Sequence, residues 1–396
     1  ETVQICEGLT IRFVDAGHLL GSSSIELWAE EEGKSAKIVF SGDIGRDDRP
    51  LICDPQTITQ ADCVLLEGTY GDRVHAQEGD KTEVLCRIIG ETFSRGGNLV
   101  IPAFAVGRTQ EILYYIAKII REKRLPQFPD IPVYLDSPLG IEATLIYSKN
   151  ARRYYDEEAL ALIKNGQDPL VFDSLHVAKS VEESKLINED KAPKVILSAS
   201  GMCDAGRIRH HLKHNLWRQE CTVLFVGYQA VGTVGRMLLD GAKKVKLFGE
   251  EISVAARIER IEGFSGHADA DELVEWMQGF ERNPSNVFLV HGEDEALEAL
   301  SERLQYELGE NVVIPRLGDV FDLGSSEFVS ANFAAPQRAA QGEVLLTALL
   351  DQSERIYRLL RELERGGIQD DTQMLKLEIM KEDLCTLADK WQGLLR

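Results

Sequence analysis

The sequence predicts an α/β protein, on three observations. Its opening is rich in strands and free of long helices, its middle alternates short apolar runs with amphipathic stretches, and Gly, Ser, Asp and Pro punctuate the boundaries. The 396 residues exceed what one hydrophobic core organises, so two domains, or one domain with a large insertion, are expected.

In chain order, segments 10–14, 25–28, 37–40 and 63–66 read as strands. Between about 90 and 240 the alternation gives four strand–loop–helix units, the signature of a mostly parallel sheet. The first is 98–101, a loop through Ala105-Val106-Gly107-Arg108, and a helix to Glu122; the second is 132–135, with Asp136-Ser137-Pro138 opening a helix. The third runs from 194–197 into Ser198-Ala199-Ser200-Gly201 and a helix through Arg207 to Leu216; the fourth runs from 222–226 through Gly227 to Thr233 into another helix. Ligands bind beyond the carboxyl ends of such strands, where helix N-termini offer free N–H groups to anions. Four loops on one edge therefore form a candidate cradle for a phosphate backbone.

After Gly263 the pattern returns to strand–loop–helix units with His267 and His291 in the loops, and a core ends near Leu323. Beyond it Leu346, Leu349, Ile356, Leu360 and Leu363, then Leu377, Met380, Leu384, Leu387 and Trp391, recur at helical steps on either side of Gly366-Gly367. This predicts a helical hairpin that packs on its own body or pairs with a second copy as a homodimer.

Composition narrows the function. No run of 18 apolar residues predicts a membrane span. Seven cysteines form no C-x-x-C pair, which fits a reducing cytoplasm better than a disulfide framework or a cysteine zinc knuckle. A formal charge of −21 argues against a protein that coats DNA. It leaves room for a nuclease, because a metal centre and a few basic residues can hold one phosphodiester on an otherwise acidic protein. The chain begins at Glu1 rather than Met, so a processing or cloning boundary is expected there.

The residues with chemical potential are His18, Asp43, Glu67, His267 and His291. Singly, a histidine at a strand end reads as a surface or core residue, and Ser-Gly-Asp as a turn. Together they place five imidazoles and carboxylates at the carboxyl ends of predicted strands, a donor set that suits Zn²⁺.

The strings Gly17-His18-Leu19-Leu20-Gly21-Ser22, Phe40-Ser41-Gly42-Asp43-Ile44-Gly45, Leu66-Glu67-Gly68-Thr69-Tyr70-Gly71, Phe264-Ser265-Gly266-His267-Ala268-Asp269 and Leu289-Val290-His291-Gly292-Glu293 resemble the later motifs of the β-CASP nucleases of the metallo-β-lactamase superfamily. The resemblance covers residues 1 to about 323. It implies a metallo-β-lactamase αββα sandwich, its first part missing, with an inserted β-CASP α/β domain; the helical hairpin lies outside it. The implied division is 1–72 and 263–325 for the two segments of the metallo-β-lactamase domain, 73–262 for the β-CASP domain and 326–396 for the helical extension.

By the same resemblance His18 ligates a first zinc, Asp43 bridges two, His291 ligates the second, and Glu67 with His267 forms the acid–base pair. The implied reaction is hydrolysis of RNA phosphodiesters by a metal-activated hydroxide, giving 5′-phosphate and 3′-hydroxyl ends. His267 is suited to protonate the leaving oxygen because its ordinary pKa lies near the working pH.

The superfamily's His-x-His-x-Asp-His run is absent from the eight histidines here. His210-His211-x-x-His214 does not replace it, since it falls on a predicted helix and reads as a solvated or RNA-facing surface. Two accounts follow: truncation of a piece on the order of 100 residues, or a non-catalytic relative that binds RNA or serves as a scaffold. Truncation accounts better for the intact downstream positions. The intact protein is then expected to hold two Zn²⁺ ions and this chain to hold zinc incompletely. A DNA nuclease is a third reading.

Arg108 and Arg236 open helices after glycine-bearing loops, and Ser200 sits in another such loop, so these three are the candidate substrate contacts. Arg207 and Arg209 lie near that loop, Phe104 and Tyr228 are candidate stacking residues, and Lys243, Lys244 and Lys246 read as a turn.

Overall fold

A computed structural model describes residues 2–325 apart from 32, 76–78 and 262, the strand residues 327–329, and residues 353, 356, 357, 360, 361, 377 and 381. They fall in two units, Glu1–Ile314 and Pro315–Arg396.

The first unit opens with an antiparallel meander of β1 (Thr2–Cys6), β2 (Leu9–Asp15), β3 (Ser23–Glu31) and β4 (Lys34–Phe40), and continues in β5 (Cys63–Leu66), parallel to β4. The chain then leaves this sheet through α1 (Lys81–Ser94), β6 (Leu99–Pro102), α2 (Arg108–Arg121), β7 (Val133–Asp136), α3 (Pro138–Tyr154), α4 (Glu157–Lys164) and β8 (Leu175–Val177). It goes on through α5 (Val181–Glu189), β9 (Val195–Ser198), α6 (Ile208–Asn215), β10 (Thr222–Phe225), α7 (Val234–Leu239), β11 (Lys244–Leu247), β12 (Glu250–Ser253) and β13 (Arg257–Arg260). It returns by α8 (Ala270–Gln278), β14 (Asn286–Leu289), α9 (Asp294–Leu308) and β15 (Val312–Val313). In the second unit β16 (Val320–Asp322) pairs with β17 (Glu327–Val329) as an antiparallel hairpin.

Two large sheets result. One runs β1-β2-β3-β4-β5-β14-β15, and in it β14 lies directly beside β5 in parallel register, Leu289 opposite Leu66. Its core holds Val14, Val39, Val64, Leu66 and Leu289 from the strands against Leu273, Val274 and Met277 of α8 and Leu297, Leu300 and Leu304 of α9. Fully burying such a side chain stabilises by roughly 1.5–3 kcal/mol. The opposite face carries a cross-strand row of Phe13, Ile25 and Phe40, with Phe13 56% and Phe40 37% exposed. The second sheet of a complete αββα sandwich is not among the described residues.

The other sheet, β13-β10-β6-β9-β7-β8, is parallel throughout. Period-two alternation divides β6 between two cores: Leu99 and Ile101 face α1, α2 and α3, while Val100 joins Ile208 and Leu212 of α6 and Leu238 of α7. Burial on both faces explains why its inner strands β6, β9 and β10 are short, mostly apolar runs, while the edge strands β8 and β13 are not. Ser137 caps α3 ahead of Pro138, and Asp269 caps α8 in a reciprocal box with Glu272, each cap contributing about 1 kcal/mol.

The structure adds to the sequence reading in three places. The expected four strands are six, because β8 and β13 extend the sheet at its edges. β1, fully exposed, carries too little apolar alternation to be read as a strand. Lys244 and Lys246 lie in β11 with their side chains on the exposed face, so that run is a strand and not a turn. The predicted helical hairpin lies outside the described residues except for scattered positions, of which Ile356, Leu360 and Leu377 are helical; 327–329 is a strand. Among the described residues no helix is long and apolar enough to cross a membrane.

α9 ends at Gly309 in the left-handed conformation, which turns Glu310 inward. That carboxyl is 5% exposed, its Oε2 makes no hydrogen bond, and burial pushes its pKa up to about 7. The folded chain therefore holds a proton there that the unfolded chain has released, and stability falls as pH rises from the ordinary glutamate range through 7. Glu310→Gln is expected to be more stable than wild type at pH 8 by on the order of 1–3 kcal/mol, with the difference vanishing near pH 4.5. Denaturant unfolding at the two pH values checks this; an equal difference at both would remove the titration from the explanation.

Candidate metal centre

Four of the five candidate residues sit where a strand of the first sheet gives way to a loop, and His267, expected at a strand end as well, does not. His18 follows β2, Asp43 follows β4, Glu67 follows β5 and His291 follows β14. His267 arrives just before α8, and an isolated antiparallel bridge pairs it with Gly45; a second bridge pairs Gly17 with Ile44. The amide of Gly45 donates to Ala16 O at 2.7 Å and that of Ala268 to Ile44 O at 2.8 Å. The loops approach so closely that a Cβ on Gly45 would stand 2.1 Å from Gly17 O, so only glycine fits there. The loops bearing Glu67 and His291 are tied likewise: Gly68 N–H donates to His291 O at 3.0 Å. His291 adopts φ +56°, a left-handed backbone costing a non-glycine residue about 1 kcal/mol or more, which the surrounding contacts impose.

The side chains converge. His18 and His267 lie 4.4 Å apart and His267 and His291 6.1 Å apart between ring centroids. His267 Nδ1 meets Glu67 Oε2 at 3.0 Å, and His291 Nδ1 meets Asp43 Oδ1 at 3.0 Å. Two donor triads form, His18–Asp43–His267 and Asp43–Glu67–His291, the atoms of each within 4.8 Å of one another. All five residues named from the sequence thus belong to one cluster.

Burial grades the cluster. Glu67 is 1% exposed; its Oε1 accepts from Ile44 N–H at 2.5 Å and its Oε2 from Thr69 Oγ1 at 2.7 Å as well as from His267. Ser41 Oγ accepts Glu67 N–H and fixes the loop. Asp43 and His291, by contrast, are 39% and 59% exposed at their side chains and face outward. Burial, followed by the neighbouring His267, holds the His18 pKa below its ordinary value, so the ring is the neutral species a metal requires. Burial, the largest single influence, works against charge on His267 too, but the hydrogen bond to Glu67 and the charges of Glu67 and Asp43 together outweigh it and raise that pKa. Neighbouring imidazoles are thus driven apart in basicity.

His18 Nδ1 is buried and makes no hydrogen bond of normal geometry. A buried polar atom left unmatched within a His/Asp/Glu donor set fits a cation that would coordinate it. The residues present fit zinc, with His18, Asp43 and His291 as ligands. Each triad is short of a closed four-ligand shell, which is what the absent His-x-His-x-Asp-His run would supply.

The candidate substrate contacts are on the inserted domain, and Arg108 stands beside the cluster's supports, sharing Glu111 with Arg49 and lying 5.4 Å from the centre of the Phe264 ring. Ser200 is in the loop after β9, half-buried, and Arg236 on α7 pairs with Asp240 at 2.9 Å with its side chain 42% exposed. Arg108 is only 11% exposed and binds Glu111 at 2.8 Å, so its charge is balanced inside the protein. Phe104 and Tyr228 are 48% and 52% exposed.

The histidine triplet on α6 is the solvated surface expected only in part, since His214 is exposed and His210 half-buried. His211 is fully buried, its Nε2 2.6 Å from Asp136 Oδ2 and its Nδ1 3.0 Å from Asn188 Oδ1. Asp136 also binds Arg207 and Ser184; burial alone would raise its pKa, but these partners hold it low. Helical period put His211 on the inner face, and only the sheet's position could reveal that. Arg49, Glu111 and Ser41 were also missed, because nothing local distinguishes them from surface residues.

Fold and site define a metallo-hydrolase-type protein: strand-end loops carrying a His/Asp donor set and a carboxylate-bound histidine, with a parallel α/β domain inserted between adjacent strands. Two family models match, the Beta-Casp domain over residues 109–238 and the Zn-dependent metallo-hydrolase RNA specificity domain over 251–315. The chain is 40% identical over 311 residues to a ribonuclease of Thermus thermophilus, covering 78% of this chain and 69% of that protein. It is 36% identical over 296 residues to an RNase J-like protein of Methanocaldococcus jannaschii, covering 74% and 66%, and 31% identical over 317 residues to the transcription termination factor FttA of Methanosarcina mazei, covering 78% and 49%. The chain belongs to the β-CASP family of the metallo-β-lactamase superfamily. It spans between half and seven-tenths of the length of these relatives.

Asp43 alone belongs to both triads. Zinc binding by equilibrium dialysis is therefore expected to fall further in Asp43→Ala than in His18→Ala or His291→Ala, each of the latter weakening it on the order of 10–100-fold. Equal losses in all three would argue against a shared carboxylate.

Proposed function

We propose that this chain carries the larger part of a zinc-dependent ribonuclease that hydrolyses phosphodiester bonds to 5′-phosphate and 3′-hydroxyl ends. The observation that carries the reading is the buried Glu67–His267 pair set 4.4 Å, ring to ring, from His18 within the donor cluster. The family descriptions and the ribonuclease names of two relatives favour RNA over DNA as substrate.

In this reading His18, Asp43 and His291 hold two zinc ions, which supply an activated water and neutralise charge on the phosphate. His267 does the proton work. Glu67 occupies its Nδ1 and leaves Nε2 to carry a proton toward the leaving 3′ oxygen as the P–O3′ bond breaks; the oxygen gained from water stays with the 5′ phosphate. Glu67 is suited to orient rather than react, since three donors already occupy its oxygens. Ser200, in the loop after β9, and Arg236, in the first turn of α7, are the backbone contacts of this reading, with Arg108 at the start of α2 as the third, its charge shared with Glu111. The division 1–72, 73–262, 263–325 and 326–396 agrees with the two sheets in outline, although Leu51, Ile52 and Phe264 pack in the parallel sheet's core and 315–325 belongs with the second unit. A cytoplasmic setting fits the described cysteines, all free thiols.

His267→Ala is expected to lower cleavage of end-labelled RNA by about 10²–10⁴-fold while RNA affinity stays near wild type, and chelation should abolish cleavage in both. A protein that binds RNA but holds no zinc and cuts nothing would instead be the non-catalytic scaffold. For the homodimer reading, sedimentation of the chain with and without residues 326–396 should show a dimer lost only on truncation.

A further inference from the structure

The segment that follows Asp43 does not stay with its own sheet. Leu51 and Ile52 are 2% and 7% exposed within the core of the parallel sheet's helices, and Leu51 N–H donates to Asp156 Oδ2 at 2.7 Å. Arg49 stands where this segment crosses between the two sheets. Its Nη2 pairs with Glu111 on α2 at 3.0 Å, and its Nη1 donates to His18 O at 2.6 Å and reaches Gly266 O at 3.5 Å. One guanidinium therefore holds the loop of a candidate ligand, the loop of the acid–base histidine and a helix of the inserted domain.

The carboxylate at the far end is fixed as firmly. Glu111 is 3% exposed and also binds Arg108 at 2.8 Å; burial alone would raise its pKa, but the two guanidiniums hold it below the ordinary range. Such a triad stabilises little against an apolar replacement but is strongly destabilising to break, so its geometry is specific. The loops it spans touch: a Cβ on Gly266 would lie 2.8 Å from His18 Cε1 and 3.1 Å from Arg49 Nη1. A second tie runs in parallel, Leu20 N–H donating to Tyr147 OH on α3 at 3.1 Å.

We propose that Arg49 is a positioning residue through which Glu111 of the inserted domain sets the spacing of His18 and His267. The proposal rests on the nuclease reading for its consequence, since that spacing matters because one ring ligates and the other carries the proton. A planar fork with several donors suits the task, because a lysine ammonium cannot reach a carboxylate and two carbonyls on separate elements in fixed directions.

Arg49→Lys, which keeps the charge, and Glu111→Gln test it, with Arg49→Lys as the variant that folds if an unbalanced Arg108 destabilises the other. In zinc-free protein, hydrogen exchange at the amides of 18–20 and 267–268 should quicken about tenfold in Arg49→Lys while those of α8 and α9 keep their wild-type rates. Zinc affinity should weaken roughly tenfold and kcat fall by about the same factor, with KM for RNA unchanged. If both variants fold, their effects on kcat should be non-additive in the double variant. Wild-type exchange rates in the two loops would overturn the proposal, as would uniform acceleration across the fold, or local acceleration with zinc affinity and kcat both unchanged. An intact protein that neither holds zinc nor cleaves RNA would sink the nuclease reading alone, and the exchange measurement would still decide whether Arg49 ties the loops.

Discussion

Backbone hydrogen bonds between three loops, more than any side-chain contact, carry the rest of the site. The loop after β2, the loop after β4 and the segment ahead of α8 are joined edge to edge, Gly17 with Ile44 and Gly45 with His267. Each bond contributes only about 1 kcal/mol net, but an unmatched buried amide or carbonyl would cost more, so the three loops have one low-energy arrangement. That arrangement turns His18, Asp43 and His267 toward a common point without requiring attraction among them. The cluster needs such a frame, because the His267–Glu67 and His291–Asp43 pairs leave His18 without a carboxylate partner of its own.

Within that frame, burial sorts the side chains into roles. Glu67 is enclosed and fully hydrogen-bonded, and its fixed charge raises the basicity of His267. Asp43 and His291 stay open to solvent, where an ion or a phosphate can reach them. The same rule governs three other buried acids, with Glu310 as the exception: Glu26 lies between Arg12 and Lys37, Glu111 between Arg49 and Arg108, and Asp136 among Arg207, His211 and Ser184. Buried carboxylates with such partners belong to the architecture, whereas an open carboxylate beside a histidine is chemically available.

The sequence revealed what is local. The inner strands of the parallel sheet were readable as apolar runs ending in glycine or serine, and the five residues of the cluster were readable among small residues, four of them at strand ends and His267 just ahead of α8. Arg49 and Glu111 were not readable, since a single charged residue on a helix or in a loop looks solvated until the opposing segment is placed. His211 failed for the same reason: its helical face could be computed, but not that Asp136 waits beneath it. β1 escaped because an exposed edge strand carries no apolar face to betray it. Arg108 shows the converse error, a basic residue at a helix start that suits a phosphate in sequence and is bound to a carboxylate in space.

The insertion's relation to the site follows from where it departs and returns. β5 and β14 are hydrogen-bonded neighbours, so the chain leaves the first sheet and re-enters it at adjacent strands, about 5 Å apart. Two such closely spaced junctions would by themselves allow the inserted domain to swing. What opposes this is a third strand of chain, the segment after Asp43, whose Leu51 and Ile52 are built into the inserted domain's core. Because that segment begins at a candidate metal ligand, moving the inserted domain must strain the loop that bears Asp43. The domain that offers a surface for the polymer and the loops that would hold the ions are thus mechanically one body, and separating them would cost apolar burial as well as an ion pair.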